Sequence, residues 1–141
     1  MKKLKIAMYF SSDPSTLGGV QESIYHLTKA LSERGHDVSI FGPAETKRFP
    51  NYHRIGKLIH LPMPNGNWSS VNLWAENDKK PSIIINEGNY DICHIQEPYT
   101  PFIAWELIKN VQIPKVTTFH LSWDDDSIAN ILKPFLPIMR R

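Results

Sequence analysis

Three stretches of the chain carry side chains or backbone suited to chemistry. Gly18-Gly19 opens a helical pattern, Glu97 stands before Pro98 at the end of an apolar run, and His120 follows another. A glycine pair at a helix start suits a phosphate, because backbone N–H groups and the helix dipole favour an anion and no Cβ blocks its approach. Glycine there also permits a corner with positive φ, and a Gly-Gly corner without any ligand is the alternative reading. His120 suits hydrogen bonding to a reacting group, against the alternative of a structural histidine. Glu97 offers a carboxylate at the same kind of position, and Asp13 either joins that site or forms a turn with Pro14. His94, inside its run, reads as a satisfied core histidine.

Several chemistries are excluded by what is missing. The dinucleotide fingerprint G-x-G-x-x-G is absent, which removes a nicotinamide-binding domain, and no G-K-[ST] follows the glycines. No His, Cys, Asp or Glu pair has zinc spacing. Cys93 lies in the apolar run Ile92 to Ile95 and reads as a small buried hydrophobe, and a single cysteine suits a reducing compartment. Asp124-Asp125-Asp126 reads as the N-terminal charge of a following helix, and the four tryptophans as packing residues.

The elements that must position these residues alternate. Lys5 to Phe10 is a nearly continuous apolar run, the pattern of a strand buried on both faces of a parallel sheet. Val20, Ile24, Leu27 and Leu31 form one stripe of a helix that runs to Arg34 and stops at Gly35. Asp37 to Phe41 is the next strand, completing a βαβ unit. Lys57 to Leu61 predicts a third strand, Pro81 starts a short helix toward Gly88, and Asp91 to Ile95 is another buried strand. A two-proline loop from Gln96 to Pro101 leads to a helix over Phe102 to Val111, a strand over Lys115 to Phe119, and a proline-broken helix from about Ser127. About five strands alternating with helices predict an α/β domain with a Rossmann-like, mostly parallel sheet flanked by helices. In such a sheet the loops 11–19, 96–101 and 120–126 leave carboxyl ends of strands and converge on one crevice.

Composition bounds the rest. The 141 residues are 41% hydrophobic and 21% charged, enough for one ordinary core and against wholesale disorder. The net charge of +2 argues against a nucleic-acid partner. Residues 1–80 carry net +4 and residues 81–141 net −2, so a peripheral contact with an anionic membrane through the basic half stands beside scattered solubilising charge. No stretch approaches the roughly 20 apolar residues of a membrane span, and the expected location is cytoplasmic, with the inner face of the membrane as the peripheral alternative.

These loops resemble, in this order, the N-terminal domain of GT-B glycosyltransferases of family four, the group of phosphatidylinositol mannosyltransferases and related sugar transferases. The matching residues are Gly18-Gly19-Val20-Gln21, Leu27 to Leu31, Arg34-Gly35-His36-Asp37-Val38, Pro64-Asn65-Gly66, Asp91 to Pro98, and Thr117-Thr118-Phe119-His120. The resemblance implies a retaining transfer of a sugar from a nucleotide-sugar donor to the hydroxyl of a lipid or small-molecule acceptor, without a metal or other cofactor. It implies Gly18 and Gly19 at the donor diphosphate and His120 as the catalytic residue beside the transferred sugar. Asp13, Gln21, Glu97 and Tyr99 are then placed on the acceptor side.

Two departures bear on the acceptor. Tyr99 stands where the mannosyltransferases carry a small amide, and Leu121 where they carry a hydroxyl residue. Each lost hydrogen-bond partner for a polyol is worth roughly 1 kcal/mol. The length also departs from a two-lobed enzyme, so residues 1–141 are expected to be the acceptor-side lobe of a truncated chain, poorly active without its C-terminal donor-binding lobe. The alternative is a non-catalytic module that pairs with a separate C-terminal partner or with itself.

Overall fold

The computed structural model describes residues 2–62, 68–74 and 79–120. Its centre is a five-stranded, wholly parallel sheet in the order β3-β2-β1-β6-β7. The strands are β1 (Lys5–Tyr9), β2 (Asp37–Gly42), β3 (Tyr52–Arg54), β6 (Ile92–Gln96) and β7 (Lys115–Thr118). Between β3 and β6 a hairpin of β4 (Lys57–Pro62) and β5 (Trp68–Trp74) forms a separate antiparallel sheet. The helices are α1 (Gly19–Glu33), α2 (Pro81–Glu87) and α3 (Ile103–Asn110). The chain steps outward from β1 through β2 to β3, then returns to lay β6 on the other side of β1. The switch point therefore lies between β1 and β6, where open α/β sheets bind ligands.

The continuous apolar run of β1 is explained by cover on both faces. Ile6, Met8 and Phe10 pack with Val38, Ile40, Ile24 and Phe49 on the α1 side. Ala7 and Tyr9 pack with Cys93, Ile95, Ile85, Ile103 and Leu107 on the side of α2 and α3. The α1 stripe lies as expected, with Ile24 fully buried and Val20, Leu27 and Leu31 partly buried against the same cluster. Gly35, at φ +85°, ends α1 in a Schellman motif: its N–H donates to Ser32 O at 2.9 Å and the His36 N–H to Leu31 O at 3.1 Å.

One expectation needs correction. Lys57 to Leu61 is not a third strand of the main sheet. It pairs antiparallel with β5, which the Ser-Ser and Asn interruptions of Trp68–Trp74 conceal as a strand. The third parallel position is taken by β3, three residues long and largely polar, as an edge strand permits. Buried Asn72 ties the hairpin to the core by donating from Nδ2 to Ile55 O at 2.9 Å. The Pro64-Asn65-Gly66 turn, Leu121, the three aspartates and the helix expected from Ser127 lie outside the described residues.

Candidate functional site at the carboxyl edge of the sheet

The first loop at the carboxyl edge runs from β1 to α1. Asp13 is bound into a local turn, its Oδ1 accepting from Ser15 N at 2.8 Å and Ser15 Oγ at 2.6 Å. Its carbonyl accepts from Thr16 Oγ1 and from Gln21 Nε2, both at 2.9 Å. Gln21 is buried and also donates to Thr16 Oγ1 at 2.9 Å, so this helical side chain braces the loop that precedes it. Arg48 pins the same loop from outside, donating to Thr16 O and pairing with Glu22.

The two glycines serve different ends. Gly18 is the N-cap of α1 and is extended, with φ −165°, so the corner does not use the positive φ that glycine would have allowed. A Cβ on Gly18 would sit 2.7 Å from Gln21 Oε1, so packing against the brace favours glycine there. A Cβ on Gly19 would meet nothing within 4 Å. The first helical bond is Glu22 N–H to Gly18 O, and no side chain caps the helix, so the amides of residues 19–21 are left without intrahelical partners. A fifteen-residue helix thus presents donors, a partial positive charge and open space at one point.

The second loop follows β6. Glu97 is 8% exposed, yet no cation pairs with it among the described residues. Hydroxyls replace the cation: Ser11 Oγ at 2.9 Å and Ser12 Oγ donate to Oε2, and the Tyr99 hydroxyl donates to Oε1 at 3.1 Å. Burial and the Glu97 charge raise the Tyr99 pKa well above the ordinary phenol value, keeping that hydroxyl a donor. Glu97 itself sits at φ +56°, a left-handed conformation rare outside glycine. The loop holds it there. Its N–H donates to Thr118 O at 2.9 Å, and its carbonyl accepts from Thr100 N at 3.0 Å and Thr100 Oγ1 at 2.9 Å. Phe102, at φ +70°, is the second such residue of this loop.

The third segment is the end of β7. His120 is partly buried, and its Nε2 lies 2.7 Å from Gln96 Oε1. Gln96 Nε2 in turn lies 3.2 Å from His94 Nε2, which is also 2.7 Å from Thr118 Oγ1. Burial first, then the neighbouring His120, lowers the His94 pKa from its ordinary 6.5. The satisfied histidine expected at position 94 is thus hydrogen-bonded, though into the network that holds His120. Gln96, Ser11 and Ser12 were not singled out by sequence; the His94/Gln96 spacing of two along a strand was the signal that could have found the first. Cys93 lies on the opposite face, fully buried, its thiol pushed up to about 12 by burial, which fits a packing role.

The carboxyl edge therefore joins Ser11, Ser12, Glu97 and Tyr99 in one cluster and His94, Gln96, Thr118 and His120 in a second. Gly19 opens at the start of α1, and Asp13 and Gln21 are engaged within the loop that leads to it. Among the described residues, no three His, Cys, Asp or Glu side chains are placed to hold a metal ion.

Residues 17–141 match the family described as Glycosyltransferase Family 4. The chain is 33% identical to the phosphatidyl-myo-inositol mannosyltransferase of Mycolicibacterium smegmatis over 107 residues, covering 74% of this chain and 28% of the relative. It is 29% identical to the enzyme of that name from Propionibacterium freudenreichii over 131 residues, covering 86% and 34% respectively. It is 30% identical to that of Mycobacterium tuberculosis H37Rv, covering 74% and 28%. The chain spans about a third or less of the length of these relatives. With a parallel Rossmann-like sheet and the glycine, Glu-Pro and histidine loops at its carboxyl edge, the chain belongs to glycosyltransferase family 4.

Proposed function

We propose that this chain is the acceptor-side lobe of a retaining glycosyltransferase, moving a sugar from a nucleotide-sugar donor to an acceptor hydroxyl without a bound metal. A second lobe supplies most contacts to the nucleotide, and the reaction takes place in the cytoplasm or at the inner membrane face. The observation that carries this reading is the uncapped start of α1 beside Gly19, at the same edge of the sheet as His120. As the bond from sugar to diphosphate breaks, negative charge grows on the leaving oxygens. The amides of residues 19–21 and the helix dipole are suited to stabilise it. His120 is suited to hydrogen-bond a hydroxyl of the sugar while positive charge develops at the anomeric carbon.

On the acceptor side, Glu97 holds Ser11, Ser12 and Tyr99 as one shaped floor, and Asp13 and Gln21 fix the adjoining loop. The mannosyltransferase relatives make a lipid-borne polyol the first acceptor to test. The Tyr99 hydroxyl is occupied by Glu97 in this chain, which removes it as a donor to such an acceptor unless that bond opens. The test is transfer of labelled sugar by the full-length protein, from a panel of nucleotide sugars to phosphatidylinositol vesicles and to free polyols. Transfer that falls sharply in His120→Ala with the fold retained is expected. An unchanged rate removes His120 from the mechanism, and no transfer from any donor favours a non-catalytic pairing module.

A further inference from the structure

Gln96 is 1% exposed, and its amide has one accepting and one donating end. Each end meets a histidine: Oε1 lies 2.7 Å from His120 Nε2, and Nε2 lies 3.2 Å from His94 Nε2. Strand geometry builds this row. His94 and Gln96 are two apart on β6 and share a face, Thr118 is the β7 partner of Gln96, and His120 lies two residues beyond it.

The polarity of the amide sets the protons on both rings. A carbonyl oxygen only accepts, so His120 carries its hydrogen on Nε2. An amide nitrogen only donates, so His94 Nε2 is bare and its hydrogen lies on Nδ1. The Thr118 hydroxyl, 2.7 Å away, can donate to the same bare nitrogen. Turning the amide around would reverse both assignments together. It would also set an N–H against an N–H whenever His120 became protonated. With Oε1 toward His120, a hydrogen bond or proton received at His120 Nδ1 leaves the bond from Nε2–H to Gln96 intact.

We propose that Gln96 is a positioning residue that fixes His120 as the Nε2–H tautomer, with Nδ1 as the nitrogen that accepts from a sugar hydroxyl, and fixes His94 in the opposite tautomer. The role given to Nδ1 rests on the glycosyl-transfer reading; the tautomers themselves do not.

The test is long-range proton–nitrogen NMR of the imidazoles in the nitrogen-labelled chain. His120 as Nε2–H with His94 as Nδ1–H is expected, and both rings in the same tautomer overturns the proposal. In Gln96→Leu both rings become tautomer mixtures; unchanged tautomers overturn it. Should Gln96→Leu not fold, Gln96→Glu decides. Its carboxylate still accepts from His120 but cannot donate to His94, so His120 stays Nε2–H and His94 moves to Nε2–H; an unmoved His94 is the contrary result. In the full-length protein, Gln96→Leu should lower kcat about tenfold, the rate equivalent of one hydrogen bond, with donor KM within about twofold. Gln96→Glu should recover part of that loss. An unchanged kcat with scrambled tautomers overturns the positioning role. A wild-type protein that transfers no sugar removes the function of Nδ1, and the tautomer measurement still decides whether Gln96 fixes the rings.

Discussion

The two edges of the parallel sheet spend the same kinds of residue in opposite ways. At the amino edge polar side chains bind backbone. Asp91 Oδ2 accepts from Lys5 N at 2.8 Å while its own N–H donates to Lys5 O at 2.8 Å. His36 Nδ1 accepts from Leu4 N at 3.2 Å. These bonds close the ends of the strands, satisfying backbone groups that would otherwise be orphaned. At the carboxyl edge polar side chains bind one another: Glu97 gathers three hydroxyls, and Gln96 joins two histidines. Asp91 and Glu97 stand in one matching stretch of the sequence, and His36 and His120 in two others, yet the members of each pair differ in what they bind. Asp91 and His36 bind backbone at strand ends, whereas Glu97 and His120 join side-chain clusters at the candidate site.

Substitutions should separate the edges. The largest effect is expected for His120→Ala, which in the full-length protein should reduce transfer by about 10²- to 10³-fold, the scale of losing one transition-state hydrogen-bonding group. Its thermal unfolding should stay close to wild type. A matching fall in unfolding temperature would make His120 another architectural residue and break the distinction.

Asp91→Ala should do the reverse. It leaves the Lys5 N–H unpaired at a strand start and should cost about 1–3 kcal/mol in urea unfolding. Transfer per folded molecule should be unchanged.

Gly35→Ala is expected to cost about 1–2 kcal/mol by the same assay, because its φ of +85° is strained for any side chain. Gly19→Ala sharpens the contrast, since its Cβ meets nothing. It should leave stability equal or raised by a few tenths of a kcal/mol, because alanine is the better helix former, while donor KM rises. A fall in stability with unchanged donor KM would make Gly19 architectural.

The smallest effect is on pH dependence. The His94 pKa lies lower in the folded chain than in the unfolded one, so the unfolded state takes up the proton more readily. The contribution of neutral His94 is complete above about pH 6.5 and is lost as pH falls below it. His94→Gln should therefore flatten the fall in stability between pH 7 and pH 5; an unaltered slope assigns that fall to other groups.

How much of this was legible in the sequence follows from the distance over which each signal acts. The buried strands and α1 declare themselves through apolar runs and one helical stripe. Gly35 also reads directly, because its left-handed conformation is a local requirement. The hairpin strand β5 does not, since Ser69, Ser70 and Asn72 interrupt its pattern and its partner is set by tertiary contact. Glu97 and His120 were visible as polar residues ending apolar runs. Their partners were not: Ser11 and Glu97 are 86 positions apart, and the bond between them exists only because β1 and β6 are neighbours. Gln96 was hidden for a related reason. An amide at a strand end has no chemistry of its own to announce, and its importance comes from the two rings beside it.

The most direct measurement of the difference between the edges is a backbone and imidazole NMR titration of the nitrogen-labelled chain with a nucleoside diphosphate sugar. Shifts that grow with ligand at the amides of Gly18, Gly19, Val20 and Gln21 and at the His120 ring, with Leu4, Lys5, His36 and Asp91 unmoved, are the expected result. Shifts centred on the amino edge, or spread evenly over the chain with none at residues 18–21, would contradict a donor site at the carboxyl edge.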